Sequence, residues 1–181
     1  MEDQQPLVIP ATVVQEGILR WISSSWPGRR VGAGIGRTVS AFNRLRLGAE
    51  LDDEPWTALR RPVASATVAL VATGGVHLRT EPPFNPHGDG GFRAIPRTAE
   101  PGDLQITHQA YDRRDAGADL NLVFPLQRLR ELEAEGVVGR VADEHYGFGL
   151  APHPAPLLVS AREVAGRLRE AQVDLVLLVP A

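Results

Sequence analysis

Apolar and polar positions fall in blocks along this chain, and over its second half the blocks predict alternating strands and helices. Ser65 to Thr73 (Ser-Ala-Thr-Val-Ala-Leu-Val-Ala-Thr) is an almost continuous apolar run closed by Gly74-Gly75, the pattern of a strand covered on both faces. Leu104 to His108 predicts a second, short strand. Pro125 to Glu135 predicts a helix, with proline in its first turn, Leu126, Leu129 and Leu132 on one stripe, and Gly136 just past its end. Val137 to Val141 follows as a strand. Ser160-Ala161-Arg162-Glu163 is a capping-box pattern and predicts a helix from Ser160 to about Ala171. That helix feeds Val173 to Val179, an apolar run that reads as a buried parallel strand. Residues 80 to 103, rich in Pro, Gly and Asp, are expected to form a long loop.

The order strand, helix, strand, helix, strand predicts an α/β fold: a mostly parallel open sheet flanked by helices. Residues 1–54 differ in character. Thr12 to Ile22 and Arg37 to Leu47 carry helical spacing, and the acidic stretch Glu50 to Pro55 marks a boundary. The expected organisation is a short helical N-terminal extension, 1–54, followed by an α/β domain, 55–181.

Composition removes several classes of chemistry. The net charge is −3 with no run of like charge, which gives no electrostatic case for nucleic acid. All 19 basic residues are arginine, so Schiff-base and P-loop lysine chemistry are absent from this sequence. There is no cysteine, hence no disulfide, zinc–thiolate site or cysteine nucleophile within it. No run approaches the roughly 18 apolar residues of a membrane span. The acidic start, Met1-Glu2-Asp3-Gln4-Gln5, is opposite in charge to a secretory signal, so a cytoplasmic location is expected.

Candidate chemistry follows the strands, because ligands in open α/β sheets gather beyond the carboxyl ends. Thr73-Gly74-Gly75-Val76-His77-Leu78-Arg79 follows the first strand. Its glycines permit close backbone approach to an anion, and Arg79 has the fork that pairs a carboxylate. A plain strand-ending turn with a surface histidine accounts for the same residues equally well. After the second strand, Thr107 to Asp112 with Asp119 and Asn121 concentrates polar groups, and His108 and Asp112 have the spacing of an acid–base pair. A hydrogen-bonded structural loop is the plainer reading of the aspartates. His77, His108 and His145 lack a metal-binding spacing, and no metal is expected. Val31-Gly32-Ala33-Gly34-Ile35-Gly36 is GxGxG without a preceding strand, and reads as a turn rather than a dinucleotide site.

A family resemblance lies in these same segments. Pro55-Trp56-Thr57-Ala58-Leu59, the run Val68 to Leu78, Pro82-Pro83-Phe84, Phe92 to Pro96, Tyr111-Asp112, Asp119 to Pro125 and Glu135 to Gly139 resemble the selenoprotein B family of glycine, sarcosine, betaine and D-proline reductases. The resemblance covers residues 55 to 181. It implies an oxidoreductase that cleaves a C–N bond α to a carboxylate, with other reductase subunits and a small amino-acid-like substrate as partners. It also implies a selenocysteine or cysteine nucleophile just after the strand matched by Val176 to Pro180, and a pyruvoyl group on a partner subunit rather than a cofactor in this chain. On that basis Gly74, Gly75, Arg79, Tyr111 and Asn121 are expected to bind substrate, and His77, His108 and Asp112 to act in catalysis.

This sequence departs from the family at the decisive place, since Ala181 precedes the expected nucleophile. The expectation is a chain truncated there at a UGA codon read as selenocysteine, inactive alone, with an uncovered apolar strand near Val173 to Val179. Two other readings stand beside it: a non-enzymatic α/β partner or scaffold module derived from the family, and a metal-dependent hydrolase.

Overall fold

The computed structural model describes residues 57–151 and 154–180. The expected helices at Thr12 to Ile22 and Arg37 to Leu47, the boundary stretch and the GxGxG turn lie outside the described residues. The compact unit described below begins at Ala58.

Its centre is β1 (Thr67–Ala72), the strand expected from the longest apolar run. The alternation of a strand sends Val68, Leu70 and Ala72 into one core cluster and Val71 towards another. β7 (Leu175–Val179) pairs parallel with β1 along its length, from Val68↔Leu175 to Ala72↔Val179. The other flank of β1 is shared end to end. β5 (Arg140–Val141) pairs parallel with Thr67 and Val68, and β6 (Glu144–Phe148) pairs parallel with Val71 and Ala72. β3 (Phe92–Pro96) then closes that side, antiparallel to β6.

The sheet is therefore mixed, not mostly parallel. The antiparallel strand comes from within residues 80–103, which were expected to be loop throughout; a 3₁₀ turn, Pro101–Asp103, lies there as well. Its local pattern is poor, but Ile95 is fully buried, and Phe92 and Ala94 pack against the cluster of Tyr146 and Phe148. Burial against a distant partner outweighs weak local propensity. β6 itself, with polar Glu144 and His145 at its start, carries no strand signal comparable to β1.

Outside this sheet, β2 (Val76–Leu78) and β4 (Leu104–Ile106) form a two-stranded antiparallel ribbon. Three helices follow in chain order: α1 (Arg114–Ala118), α2 (Leu126–Ala134) and α3 (Pro154–Glu170). Gly136 takes φ +72 just beyond α2, the left-handed helix-ending position expected from the sequence. Leu126 and Leu129 of α2 join Val68, Leu70, Phe124 and Val141 in the larger core cluster. Leu157, Val164 and Leu168 of α3 cover the opposite face against Tyr146 and Phe148.

Two boundaries differ from expectation. α3 begins at Pro154, so Ser160 is an interior residue rather than a cap. Pro154 and Pro156 fall in the first turn, where a missing N–H breaks no helical hydrogen bond. The strand expected at Val137 to Val141 is reduced to Arg140–Val141, because Val137 and Val138 donate to Leu132 O and continue the turn after α2.

β7 has β1 as its partner among the described residues, and its other edge is open. Leu177 and Leu178 are 41% and 69% exposed, so β7 is an exposed edge strand rather than the buried one its apolar run suggested. No helix among the described residues is long and apolar enough to cross a membrane.

Candidate functional site

Because β1, β6 and β7 run parallel, their carboxyl ends share one edge, and backbone hydrogen bonds join them there. Thr73 N–H donates to Val179 O at 3.0 Å, and Gly75 N–H donates to Phe148 O at 2.8 Å. Gly75 has φ +71, and a Cβ at this position would overlap the carbonyl oxygen of Thr107. The sharp turn and the close approach both require glycine. They turn the chain into β2 and bring the segment after β4 against Gly74 and Gly75, with Thr107 N–H donating to Gly75 O at 2.8 Å.

That approach builds a small polar cluster. The Tyr111 hydroxyl donates to Gly74 O at 2.9 Å, and the Tyr111 and His108 rings lie 4.9 Å apart. His108 is buried, and its Nδ1 accepts from Ala110 N–H at 3.2 Å, which leaves the neutral-ring proton on Nε2. Burial, then the nearby Arg113 charge, hold the His108 pKa below its ordinary value, so the ring is uncharged at neutral pH. Burial raises the Tyr111 pKa, with Arg113 opposing. The edge therefore offers a neutral imidazole, a protonated phenol and an arginine.

The remaining candidates are dispersed. His77 is fully buried on β2, with Nδ1 donating to Leu78 O at 2.8 Å and Nε2 at 2.9 Å from Thr107 Oγ1. It packs edge-on to Phe84 with ring centroids 5.5 Å apart. Both ring nitrogens are thus occupied, and the side chain ties β2 to the residue after β4. Arg79 lies at the far end of β2, where Nε donates to Gly102 O at 2.8 Å.

Asp112 does not pair with His108. It binds Arg114 through Nη2 at 2.5 Å and through the backbone N–H at 3.1 Å. Those hydrogen bonds hold its carboxyl below the usual carboxylate range. Asn121 donates to Asp119 Oδ1 at 2.9 Å and helps line a shallow depression with Ala99, Leu104 and Phe124, at the Leu104 end of β4. His145 is buried inside the sheet. Among the described residues, no group of three His, Cys, Asp or Glu side chains is placed to hold a metal ion.

Arg113 was not among the sequence candidates. Its only local signal is its place beside Tyr111-Asp112, and its importance depends on the ribbon that carries it.

Comparison with known proteins agrees with these segments. The profile of the glycine/sarcosine/betaine reductase selenoprotein B family matches residues 52–181. D-proline reductase subunit gamma of Acetoanaerobium sticklandii is 36% identical over 125 residues, 68% of this chain and 52% of that protein. Glycine reductase complex component B subunit gamma of Symbiobacterium thermophilum is 32% identical over 124 residues, 65% of this chain and 29% of its own length. Betaine reductase complex component B subunit beta of Peptoclostridium acidaminophilum is 30% identical over 147 residues, 75% of this chain and 30% of its own length. The chain thus spans about half of the first relative and under a third of the other two. No solved structure matches. The profile match over residues 52–181 places this chain in the glycine/sarcosine/betaine reductase selenoprotein B family.

Proposed function

We propose that this chain supplies part of the substrate site of a reductase that cleaves a C–N bond α to a carboxylate, of the glycine, sarcosine, betaine or D-proline type. The observation that carries the reading is the junction of β7 with the Gly74 turn. Val179 O accepts from Thr73 N–H one residue before Gly74, whose carbonyl holds Tyr111. A selenocysteine or cysteine following β7 would emerge beside the Tyr111–His108 cluster. These 181 residues contain no cysteine, so the nucleophile comes from outside them.

In this scheme the selenolate or thiolate attacks the α carbon. The C–N bonding pair leaves with nitrogen, which takes up a proton. One thiolate of a dithiol then attacks the selenium or sulfur, the bond from it to the α carbon breaks, and that carbon takes up a proton. The second thiol displaces the nucleophile from the mixed selenosulfide or disulfide as the dithiol closes to its own disulfide. His108, neutral with its proton on Nε2, is suited to donate a hydrogen bond from Nε2 to the departing nitrogen, while the proton that nitrogen takes up comes from solvent. A pyruvoyl group on a partner subunit would activate the amine in the glycine and proline reactions. Other reductase subunits are the partners, in keeping with relatives named as components of reductase complexes.

The test is dithiol-dependent turnover of glycine, sarcosine, betaine and D-proline by a version extended through the nucleophile and assembled with its partner subunits. Turnover of one of the four that falls at least tenfold in a His108→Asn variant is expected. Absence of both binding and turnover with all four would overturn the reading and leave the non-enzymatic partner module.

A further inference from the structure

Substrates of this class carry a carboxylate, and Arg79 and Arg113, at the two ends of the β2–β4 ribbon, are unequally placed to receive it. β2 leaves the Gly74 turn and pairs antiparallel with β4, with Val76 at the Ile106 end of the ribbon and Leu78 at the Leu104 end. Arg79 lies three residues beyond Val76, roughly 10 Å along an extended strand. Its Nε is spent on Gly102 O, and its backbone N–H on Asp103 O. Those contacts hold it at the Leu104 end of the ribbon.

Arg113 occupies the opposite end. Its Nη1 donates to Ile106 O at 3.2 Å, and Ile106 is the register partner of Val76, the residue that follows Gly75. The side chain is exposed, and this bond uses one of the five guanidinium N–H donors. Among the described residues no carboxylate lies within ion-pair distance of it. The nearby acid that would compete, Asp112, is engaged by Arg114 through three side-chain hydrogen bonds of 2.5 to 3.1 Å. Arg113 also acts electrostatically on both His108 and Tyr111.

We propose that Arg113 is the cation that receives the substrate carboxylate, with Tyr111 and His108 forming the wall beside it; this rests on the reductase reading above. The Ile106 bond fixes one arm of the fork, and the remaining guanidinium donors keep the paired geometry a carboxylate accepts. Arg79 takes no part.

The experiment measures binding of glycine, sarcosine, betaine and D-proline by calorimetry to the version extended through the nucleophile and assembled with its partner subunits, and compares D-proline with D-prolinamide, which lacks the negative charge. The wild type should prefer the acid. Arg113→Gln should bind D-proline roughly 10- to 100-fold more weakly, since charge-assisted hydrogen bonds are lost, and should no longer distinguish acid from amide. Arg79→Gln should behave as wild type. Arg113→Lys, which keeps the charge but not the fork, should bind weakly and still prefer the acid; it serves as the second readout if Arg113→Gln folds poorly by circular dichroism. Retention of the acid preference in Arg113→Gln, or its loss in Arg79→Gln, would overturn the assignment while leaving the reductase reading in place. Failure of the wild type to bind any of the four acids would overturn both.

Discussion

His145 offers a test of how the sheet is held, away from the candidate site. Leu70, in the middle of β1, faces the gap where the neighbouring chain passes from β5 to β6. No backbone carbonyl is in register there, and the His145 side chain fills the place: Leu70 N–H donates to Nδ1 at 3.0 Å. His145 is fully buried, and Nε2 has no hydrogen-bond partner among the described residues. Nδ1 can accept only while the ring is neutral. Burial, then the charges of Arg97 and Arg130, with Asp143 opposing, lower its pKa from 6.5 to about 4.

The sign follows directly. Between pH 6.5 and about 4 the unfolded chain binds a proton that the folded chain refuses, so stability falls as the solution is acidified through that window. Integrated from pH 7.5 to 4.5, this single group costs about 2.5 kcal/mol. His145→Asn keeps an acceptor where Nδ1 was but does not titrate. Urea denaturation of both proteins at the two pH values isolates the effect from the carboxylates, which titrate alike in each. The variant should lose about 2.5 kcal/mol less than wild type between pH 7.5 and 4.5. Equal losses, or an NMR titration of His145 with a midpoint near 6.5, would refute the reasoning.

Other expectations can be checked by the same denaturation assay. Gly75→Ala should cost more than about 2 kcal/mol or prevent folding, because it combines a left-handed backbone with overlap on Thr107 O. Glu133 accepts from buried Val141 N–H at 3.0 Å and from Arg97 at 2.6 Å, so Glu133→Ala should cost about 1–3 kcal/mol; a change under about 0.5 would show that the junction is weak. Leu70→Ala should cost about 2–5 kcal/mol, whereas Leu178→Ser on exposed β7 should change stability by less than about 0.5. A large loss at Leu178 would mean that β7 is covered in solution.

What the sequence determined by itself was whatever rests on local pattern. The apolar runs of β1 and β7 and the proline-led, glycine-ended α2 were legible because a few consecutive residues carry the signal. The family was legible for a related reason, since segments such as Val68 to Leu78 and Asp119 to Pro125 keep their order. Tertiary structure decided the rest. β3 and β6 are strands because each buries its apolar side chains against the other, and neither has a strong pattern alone. The start of α3 at Pro154 depends on Leu157 finding the Tyr146–Phe148 cluster, a contact the capping box at Ser160 cannot reveal.

The site divides in the same way. Gly74, Gly75, Tyr111 and His108 were named from sequence and do come together, because one glycine turn lets the segment after β4 approach the end of β1. Sequence spacing suggested a His108–Asp112 pair, but Arg114, two residues away, binds Asp112 first. Arg79 and Arg113 look equivalent as letters in a chain. The antiparallel register of β2 and β4 separates them, setting Arg79 at the Leu104 end of the ribbon and Arg113 at the Ile106 end, beside Val76 and the Gly75 turn.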